Sequence, residues 1–411
     1  QGKPRPRRDD HPRGAELQVV TPQARVQAAI EILDAVIIAA RGQGASADRI
    51  IADWFRTRRF AGSGDRRAVR DLAYAAIRAC GEVPASGRAA LVHLARRDPA
   101  LAALFDGSRH APAPIDPAEP EAAGGVAPAW LAERLAQSGI AGEDAAALLR
   151  RAPLDVRVNA LKAARDAIEL PLAGERLVAP HSLRFPHGTP VEQWDAFKDG
   201  RIEVQDGGSQ LACEALGAAP GETVIDLCAG AGGKTLALAA AMRGKGHLVA
   251  CDTDRARLSR LAPRAERAGV PPIDTRLLDT GREAAALADL AGKADSVLVD
   301  APCSGTGTWR RNPEARWRLT EKELARLIAI QARLLDVAAG LVRPGGRLVF
   351  VTCSLLDAEG ADQAEAFLAR HPAWRAVPLD LGAGRPRGAG LRLDPAHDTT
   401  DGFFIARLEA P

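Results

Sequence analysis

The sequence predicts an α/β fold: a doubly wound, Rossmann-like domain in the second half of the chain, preceded by an all-helical domain and a small mixed α/β domain. The main observation is that apolar, strand-like runs alternate with helical segments after Gly221, which is typical of a parallel sheet covered on both faces. The runs are residues 223–227, 247–252, 296–303 and 347–353. A second observation is the stretch 111–125, rich in proline, alanine and glycine, which predicts a linker. With 411 residues, the chain is long enough for two or three domains with proper cores.

The residues before the linker predict a helical domain over residues 21–110. Thr21 is a suitable N-cap, and the stretch Ala24–Ala40 after it has helical length and composition. Two more helices are predicted over Asp48–Phe60 and Asp65–Arg78. No strand-like run interrupts them, so this domain is expected to be all-helical.

Three further boundaries complete the predicted organisation. Residues 1–20 are predicted to form a basic, disordered tail, because their charges, prolines and glycines cannot bury apolar surface. Residues 126–200 mix helix and strand signals and predict an intermediate α/β domain. Residues 201–411 are then the doubly wound domain. The chain starts at Gln1 and its only methionine is Met242, so we expect the natural N-terminus to have been trimmed or replaced.

Positive charge is concentrated at the front of the chain. Residues 1–110 hold 19 Lys and Arg against 12 Asp and Glu, whereas the remainder holds 36 against 40. Six arginines of the helical domain gather around the loop 61–64: Arg56, Arg58, Arg59, Arg66, Arg67 and Arg70. They predict either a face for the phosphates of a nucleic acid or a solvated surface, and the sequence alone leaves both open.

Composition argues against membrane, disulfide and metal functions. The most apolar run, Ala28–Ala40, is far too short to span a bilayer and contains two acids, so no membrane role is expected. The six cysteines include no C-x-x-C pair, and the eight histidines show no ligand spacing. We therefore expect no metal site, and a protein of the reducing cytoplasm.

The loop LCAGAGGKT, residues 227–235, ends like a nucleotide-phosphate loop but fits neither common pattern. The first glycine of a Walker loop would fall at Cys228, and the third glycine of the dinucleotide fingerprint would fall at Thr235. What remains is a tight strand-to-helix turn with bare backbone. Asp252 ends the next strand, twenty residues after Gly232, where it can bind a ribose diol. The loop alone could serve packing only, but with Asp252 it favours an adenosine cofactor.

Two strand-like runs end in a cysteine, Cys303 in DAPCSG and Cys353 in VTCSL. Ligands bind at the carboxyl ends of parallel strands, where both thiols would then lie. If these two strands are neighbours, they are about 4.8 Å apart, and both thiols can reach one bound atom. A thiol beside an adenosine cofactor suggests methylation of a pyrimidine carbon. Carbon 5 becomes nucleophilic only after a thiolate has added to carbon 6, and a carboxyl group such as Asp300 can stabilise the adduct.

Five motifs resemble the RNA (cytosine-5)-methyltransferase family: DLCAGAGGKT, DAPCSGTGTWRRNPEARW, VTCSL, VQDGGSQL and DGFFIARL. The resemblance covers about half the chain and implies a class I methyltransferase domain that uses S-adenosyl-L-methionine. It also implies that Cys353 is the nucleophile and that Cys303 assists release of the methylated RNA. In the DNA enzymes the nucleophile is in the other motif, so geometry alone does not make this choice.

The resemblance also implies the cofactor residues. Asp252 would bind the ribose, Asp279 the adenine, and Asp300 would lie between cofactor and target base, while Arg257 matches an arginine of the family. The methionine end would be wrapped by Cys228, Ala229, Gly230, Ala231, Gly232, Gly233 and Lys234. The chain departs from the family at Ala231, where proline is usual, and at Glu359-Gly360, where Glu-Asn is common.

The segment Gly62–Arg78 is similar to the NusB-like RNA-binding domain found in the bacterial small-subunit ribosomal-RNA methyltransferase B branch. It implies small-subunit (16S) ribosomal RNA as the substrate of a monomeric enzyme. Transfer RNA, a non-catalytic ribosome-assembly factor, and a methyltransferase for small molecules or proteins remain alternatives. A group of large side chains after Cys303 could either contact RNA or fill the core: Trp309, Arg310, Arg311, Arg316 and Trp317.

Overall fold

A computed structural model describes residues 20–42, 44–58 and 62–411 of the chain. Residues 1–19, which hold nearly all of the predicted tail, and Arg59 lie outside the described residues. The chain divides into two compact units, one ending at Pro128 and one running from Ala129 to Pro411.

Unit 1 is built from helices that pack their apolar faces together. Its helices are α1 (Pro22–Arg41), α2 (Ala47–Thr57), α3 (Ser63–Ala79), α4 (Gly87–Ala95) and α5 (Pro99–Ala102). The hydroxyl of Thr21 accepts from the backbone N–H of Ala24 at 3.2 Å, so the predicted N-cap begins α1. Residues of the predicted linker contact α4, because Arg88 donates to both carboxylate oxygens of Glu119.

Unit 2 begins with a small mixed region around a four-stranded antiparallel sheet. Its elements are α6 (Ala129–Gln137), α7 (Gly142–Ala147), β1 (Leu154–Val158), β2 (Glu175–Arg176), β3 (Ser182–Phe185), α8 (Asp195–Lys198) and β4 (Ile202–Val204). The strand order is β2-β3-β1-β4. Its apolar core includes Val156, Phe185 and Trp194, and the two aromatic rings meet edge to face at 5.1 Å.

The rest of unit 2 is a nine-stranded sheet covered by helices. Its helices are α9 (Gly207–Leu216), α10 (Gly233–Ala241), α11 (Arg255–Leu258), α12 (Leu261–Ala268), α13 (Glu283–Ala286), α14 (Glu321–Leu341) and α15 (Ala361–Arg370). Its strands are β5 (Thr223–Asp226), β6 (His247–Asp252), β7 (Asp274–Leu277), β8 (Ala294–Asp300), β9 (Val342–Thr352), β10 (Arg375–Val377), β11 (Arg385–Arg387), β12 (Gly390–Leu393) and β13 (Phe403–Glu409).

The order of this sheet is β11-β12-β13-β9-β8-β5-β6-β7, and β10 pairs with β13. The strands from β9 to β7 are parallel, whereas β10 to β13 add an antiparallel edge. The predicted α/β class with a parallel, doubly wound core and a helical front region is therefore confirmed. All four apolar runs are strands, because fully buried parallel strands need continuous apolar sequence.

Strands β8 and β9, which precede the two predicted site cysteines, are direct parallel neighbours, with Asp300 opposite Val351. Each strand ends within three residues of a cysteine, so Cys303 and Cys353 lie side by side at the same edge of the sheet.

Among the described residues, no helix has the length and apolar character needed to cross a membrane.

Candidate active site

A cleft of about 500 Å³ lies at the carboxyl ends of β5, β6, β8 and β9. This is where ligands bind in sheets of this topology, and the volume suits a small organic molecule. Its lining includes six residues that the sequence predicts as site residues: Cys228, Asp252, Arg257, Asp300, Cys303 and Cys353.

The two cysteines meet in this cleft. The sulfur atoms of Cys303 and Cys353 are 3.4 Å apart, within hydrogen-bond distance for thiols. The hydrogen bond with Cys353, burial and the negative charge of Glu359 together raise the pKa of the Cys303 thiol well above its usual value. The Cys303 thiol therefore keeps its proton at neutral pH, and in the contact between the two sulfur atoms either one could be the donor.

A partly buried ion pair joins the glycine loop to the end of β8. Lys234, in the first turn of α10, donates to a carboxylate oxygen of Asp300 at 2.7 Å. Burial lowers the pKa of Lys234, but the charges of Asp300 and Cys213 and the hydrogen bond to Asp300 together outweigh it, so the net shift is upward. Lys234 is therefore protonated, and its hydrogen bond holds Asp300 in the lining of the cleft, beside the two cysteines.

Two buried glycines of the glycine loop adopt left-handed conformations and are packed closely by neighbouring side chains. Gly230 has φ +56° and Gly232 has φ +88°. A Cβ on Gly230 would lie 2.4 Å from the guanidinium of Arg257, and one on Gly232 would lie 2.2 Å from the side chain of Leu261. Arg264 donates to the carbonyl of Ala231 at 2.7 Å, which anchors the loop where the family usually has proline.

Asp252 is buried at the end of β6 and contacts the same loop. One carboxylate oxygen accepts from the N–H of Gly230 and the other from the N–H of Asp254, both at 2.7 Å. Each oxygen has a second lone pair, so both ribose hydroxyls could still donate to this carboxylate.

Asp279 is exposed and does not line the cleft, although its neighbours Leu278 and Thr280 do. The structure thus brings together every predicted site residue at the cleft or its glycine loop except Asp279.

These features fit an adenosine cofactor. The carboxylate of Asp252 lines the cleft with lone pairs still free for a ribose, and its hydrogen bond from the N–H of Gly230 places the glycine loop beside the same cleft. The chain of Cys228 also lines it. Among the described residues, no group of three or more His, Cys, Asp and Glu side chains could hold a metal ion.

The large side chains after Cys303 fill the core. Trp309 and Arg316 have no exposed surface, and Trp317 and Arg310 are each 5% exposed. Arg310 donates to Asp401 at 3.0 and 3.1 Å. The interpretation of these four residues as RNA contacts is therefore wrong, because buried aromatic and ion-paired side chains cannot reach a substrate.

Arg311 and Asp206 complete this ion cluster. Arg311 is partly exposed, and it donates to Asp401 at 2.6 Å and to Asp206 at 3.0 Å. Burial and the nearby charge of Asp401 raise the pKa of Asp206 to about 6. Arg311 is thus committed to structural ion pairs as well.

Sequence reasoning missed two buried carboxylates near the site. Asp226, at the end of β5, accepts from the hydroxyl of Thr235 at 2.6 Å, and burial raises its pKa to about 7. Glu359 is completely buried beside both cysteine loops. The motif pair Glu359-Gly360 was visible in the sequence, but its contacts depend on residues that the fold brings from three other segments.

Comparison with protein families gives one match over most of unit 2. The sequence model of the 16S rRNA methyltransferase RsmB/F family matches residues 213–409. The ribosomal RNA small subunit methyltransferase B of Xylella fastidiosa (strain 9a5c) is 39% identical over 296 residues, which cover 68% of each chain. The probable ribosomal RNA small subunit methyltransferase B of Synechocystis is 35% identical over 299 residues, or 69% of this chain and 66% of that protein.

Solved structures show the same fold. The crystal structure of PH0851 superposes with a TM-score of 0.70 at 26% identity and covers 95% of this chain and 99% of that one. A methyltransferase homolog protein from Pyrococcus horikoshii gives a TM-score of 0.56 at 26% identity, over 69% of this chain and 99% of that one. The similarity to PH0851 covers 95% of this chain and therefore extends beyond unit 2.

Proposed function

Because the chain belongs to the 16S rRNA methyltransferase RsmB/F family, we propose that it transfers a methyl group from S-adenosylmethionine to carbon 5 of a cytosine in small-subunit ribosomal RNA. The chain spans about two thirds of the length of its curated relatives, 66% for the Synechocystis protein. The observation that carries the proposal is the pair of thiols, Cys303 and Cys353, 3.4 Å apart in a cleft that fits the methyl donor.

In this proposal Cys353 is the nucleophile. Its thiolate adds to carbon 6 of the cytosine, and the ring electrons move so that carbon 5 can attack a methyl group. The S–H group of Cys303 acts at the end of the reaction, because a hydrogen bond to an ionised sulfur is stronger than one to a neutral sulfur and so favours departure of Cys353 as a thiolate. Asp300 faces the same space and can hydrogen-bond the ring of the target base while Lys234 holds it in place.

Release reverses the addition. The carbon-5 proton passes to water, its electron pair forms the C5–C6 double bond, and the Sγ–C6 bond breaks with its electrons returning to Cys353. The departing sulfur is again a thiolate, and the S–H of Cys303 is placed to donate to it. A chain without this donor should form the adduct but release it slowly.

The cofactor would be held by the residues around the glycine loop, and when bound it supplies an electrophilic methyl group on a sulfonium. The backbone of residues 228–234 would contact its methionine end, and the carboxylate of Asp252 its ribose. Arg257 packs over Gly230 and closes one side of the cleft. We still propose that Asp279 binds the adenine. Its side chain is exposed, so it would have to turn toward the cleft that its neighbour Leu278 lines.

RNA recognition is proposed to involve the basic helices of unit 1. Arg66, Arg67 and Arg70 line a depression of about 440 Å³ together with the apolar side chains of Ile51 and Phe55. Asp48 also lines it and pairs with Arg70 at 2.9 Å. Guanidinium groups beside apolar side chains suit both phosphates and unstacked bases. This arrangement supports the proposed NusB-like RNA-binding role of residues 21–110.

The domain boundaries are part of the proposal. We propose a linker over residues 111–125, an intermediate domain over 126–200 and a methyltransferase domain over 201–411. We also propose that the protein is a monomer. The compartment proposed is the cytoplasm. None of the six cysteines, all of which the structure describes, forms a disulfide, and thiols as close as Cys303 and Cys353 would persist in a reducing environment.

The test uses alanine variants of both cysteines with small-subunit rRNA and S-adenosylmethionine. Cys303→Ala is expected to accumulate a covalent protein–RNA adduct on a denaturing gel, whereas Cys353→Ala forms none. Adducts in neither variant, or only in Cys353→Ala, would contradict the proposal. Transfer RNA in a parallel reaction tests the substrate class, and 5-methylcytosine in it alone would replace ribosomal RNA as substrate.

A further inference from the structure

Glu359 is a carboxylate with no exposed surface that the proposed reaction does not use. It ends the short 3-10 turn Asp357–Glu359, six residues after Cys353. A carboxylate is costly to bury unless it is hydrogen-bonded, so its partners indicate what it does.

On the Cys303 side, Glu359 and Gln331 hold both neighbours of the cysteine. One carboxylate oxygen accepts from the N–H of Ser304 at 2.8 Å, and the other accepts from the Ser304 hydroxyl. Gln331, which is also fully buried, donates to Glu359 at 3.0 Å and to the carbonyl of Pro302 at 2.9 Å. The backbone on each side of Cys303 is therefore fixed to one buried group of side chains.

The same residue holds the Cys353 side. The hydroxyl of Thr352, directly before Cys353, donates to the backbone carbonyl of Glu359 at 3.0 Å. The hydroxyls of Ser304 and Ser354, which follow the two cysteines, are 3.2 Å apart. Glu359 thus joins the segment before one thiol to the segment after the other.

We infer that Glu359 is a positioning residue that holds the S–H group of Cys303 against the sulfur of Cys353, and so sets the rate at which methylated RNA is released. The inference rests on the proposed function, because it assigns Glu359 to the release step described above. Glu359 contacts neither the base nor the cofactor cleft, so it acts through Cys303.

Glu359 acts on Cys303 mainly through geometry. Its carboxylate is also one of the groups that raise the pKa of Cys303, after the hydrogen bond to Cys353, burial and the charge of Cys353. Removing its hydrogen bonds would let the loop of Pro302 and Ser304 shift, and a shift of about 1 Å at a reacting group can cost up to about 100-fold in rate.

The experiment follows formation and decay of the covalent adduct on small-subunit rRNA. Glu359→Gln keeps the shape but removes the charge and one acceptor, and Ser304→Ala removes only one hydroxyl donor. Asp394→Asn is the control, because Asp394 is an equally buried carboxylate that pairs with Arg385 away from the cysteines.

We expect Glu359→Gln to form adduct at the wild-type rate and to release it about 10-fold more slowly. Ser304→Ala should show a smaller delay, and Asp394→Asn none. Affinity for S-adenosylhomocysteine, measured by calorimetry, should equal that of the wild type in all three. If Glu359→Gln and Ser304→Ala release RNA as fast as the wild type, or if adduct formation and affinity fall together with release, the inference is overturned.

The Cys303→Ala variant separates the two proposals. If it forms no adduct, the proposed function fails before Glu359 is tested. If it accumulates adduct while Glu359→Gln behaves as the wild type, only the role of Glu359 fails. Should Glu359→Gln not fold, the delay in Ser304→Ala alone decides.

Discussion

Replacing Asp300 with asparagine should destabilise the protein by leaving a buried ammonium group without its partner. Lys234 and Asp300 are 2.7 Å apart, and their side chains are 11% and 30% exposed. The isosteric change keeps the shape of residue 300 but removes its charge. Lys234 would then keep only its contact with the ring of Phe403, 5.7 Å from the ring centroid.

The size of the effect follows from the exposure of the pair. Breaking a fully buried ion pair costs about 3–5 kcal/mol, and an exposed pair contributes about 0–1 kcal/mol. Because water reaches Asp300 but hardly reaches Lys234, we expect Asp300→Asn to lower the free energy of unfolding by about 2 kcal/mol. Lys234→Met should cost less, since Asp300 is open to water.

Urea unfolding of the two single variants and of the double variant measures this pair directly. The double variant lacks both charges, so no charged side chain is left buried without a partner. We therefore expect it to be more stable, by about 1–2 kcal/mol, than the sum of the two single effects predicts. Additive effects, within about 0.5 kcal/mol, would show that the pair contributes no coupling and would refute the reasoning.

Three further predictions concern stability. Burial raises the pKa of Asp226 to about 7. Its folded form therefore retains a proton that the unfolded chain loses, and this costs stability increasingly from about pH 4 to pH 7 and constantly above, up to about 4 kcal/mol. Asp226→Asn should thus gain stability over the wild type through that window in urea titrations, and a pH-independent difference would contradict the shift. Gly232→Ala should lose about 2–4 kcal/mol because it combines a left-handed conformation with a Cβ 2.2 Å from Leu261, whereas Gly233→Ala, with no atom within 4 Å of its Cβ, should melt as the wild type. Arg310→Met should lower the free energy of unfolding by about 2 kcal/mol, since Asp401 and Asp206 lose one arginine partner but keep Arg311, without weakening RNA binding in filter assays; a loss of affinity without loss of stability would reverse this assignment.

The sheet and the edge at which the cysteines lie were predictable because they depend on local signals. Buried parallel strands are continuous apolar runs, and the carboxyl ends of such strands lie at one edge, so both cysteines are expected at that edge. That Cys303 and Cys353 meet there depends on the pairing of β8 with β9, which the structure shows. The tight turn of the glycine loop was also predictable from its composition, because the positive φ angles of Gly230 and Gly232 favour glycine over other residues.

The parts that sequence could not predict depend on distant partners. Arg310 looks like an RNA contact until Asp401, 91 residues later, is placed beside it. Glu359 likewise gains its meaning from Ser304 and Gln331. Gly360 departs from the family pattern for a tertiary reason too, because a Cβ there would lie 2.8 Å from the ring of Phe404.

The central claim, attack of the Cys353 sulfur on a cytosine ring, is tested most directly by locating the covalent bond. RNA containing 5-fluorocytidine should trap the wild-type protein, because fluorine at carbon 5 cannot leave as a proton does. After digestion with nuclease and protease, mass spectrometry should find the methylated nucleotide on the peptide that contains Cys353. A nucleotide on the peptide of Cys303, or methylated RNA with no protein attached, would contradict the account.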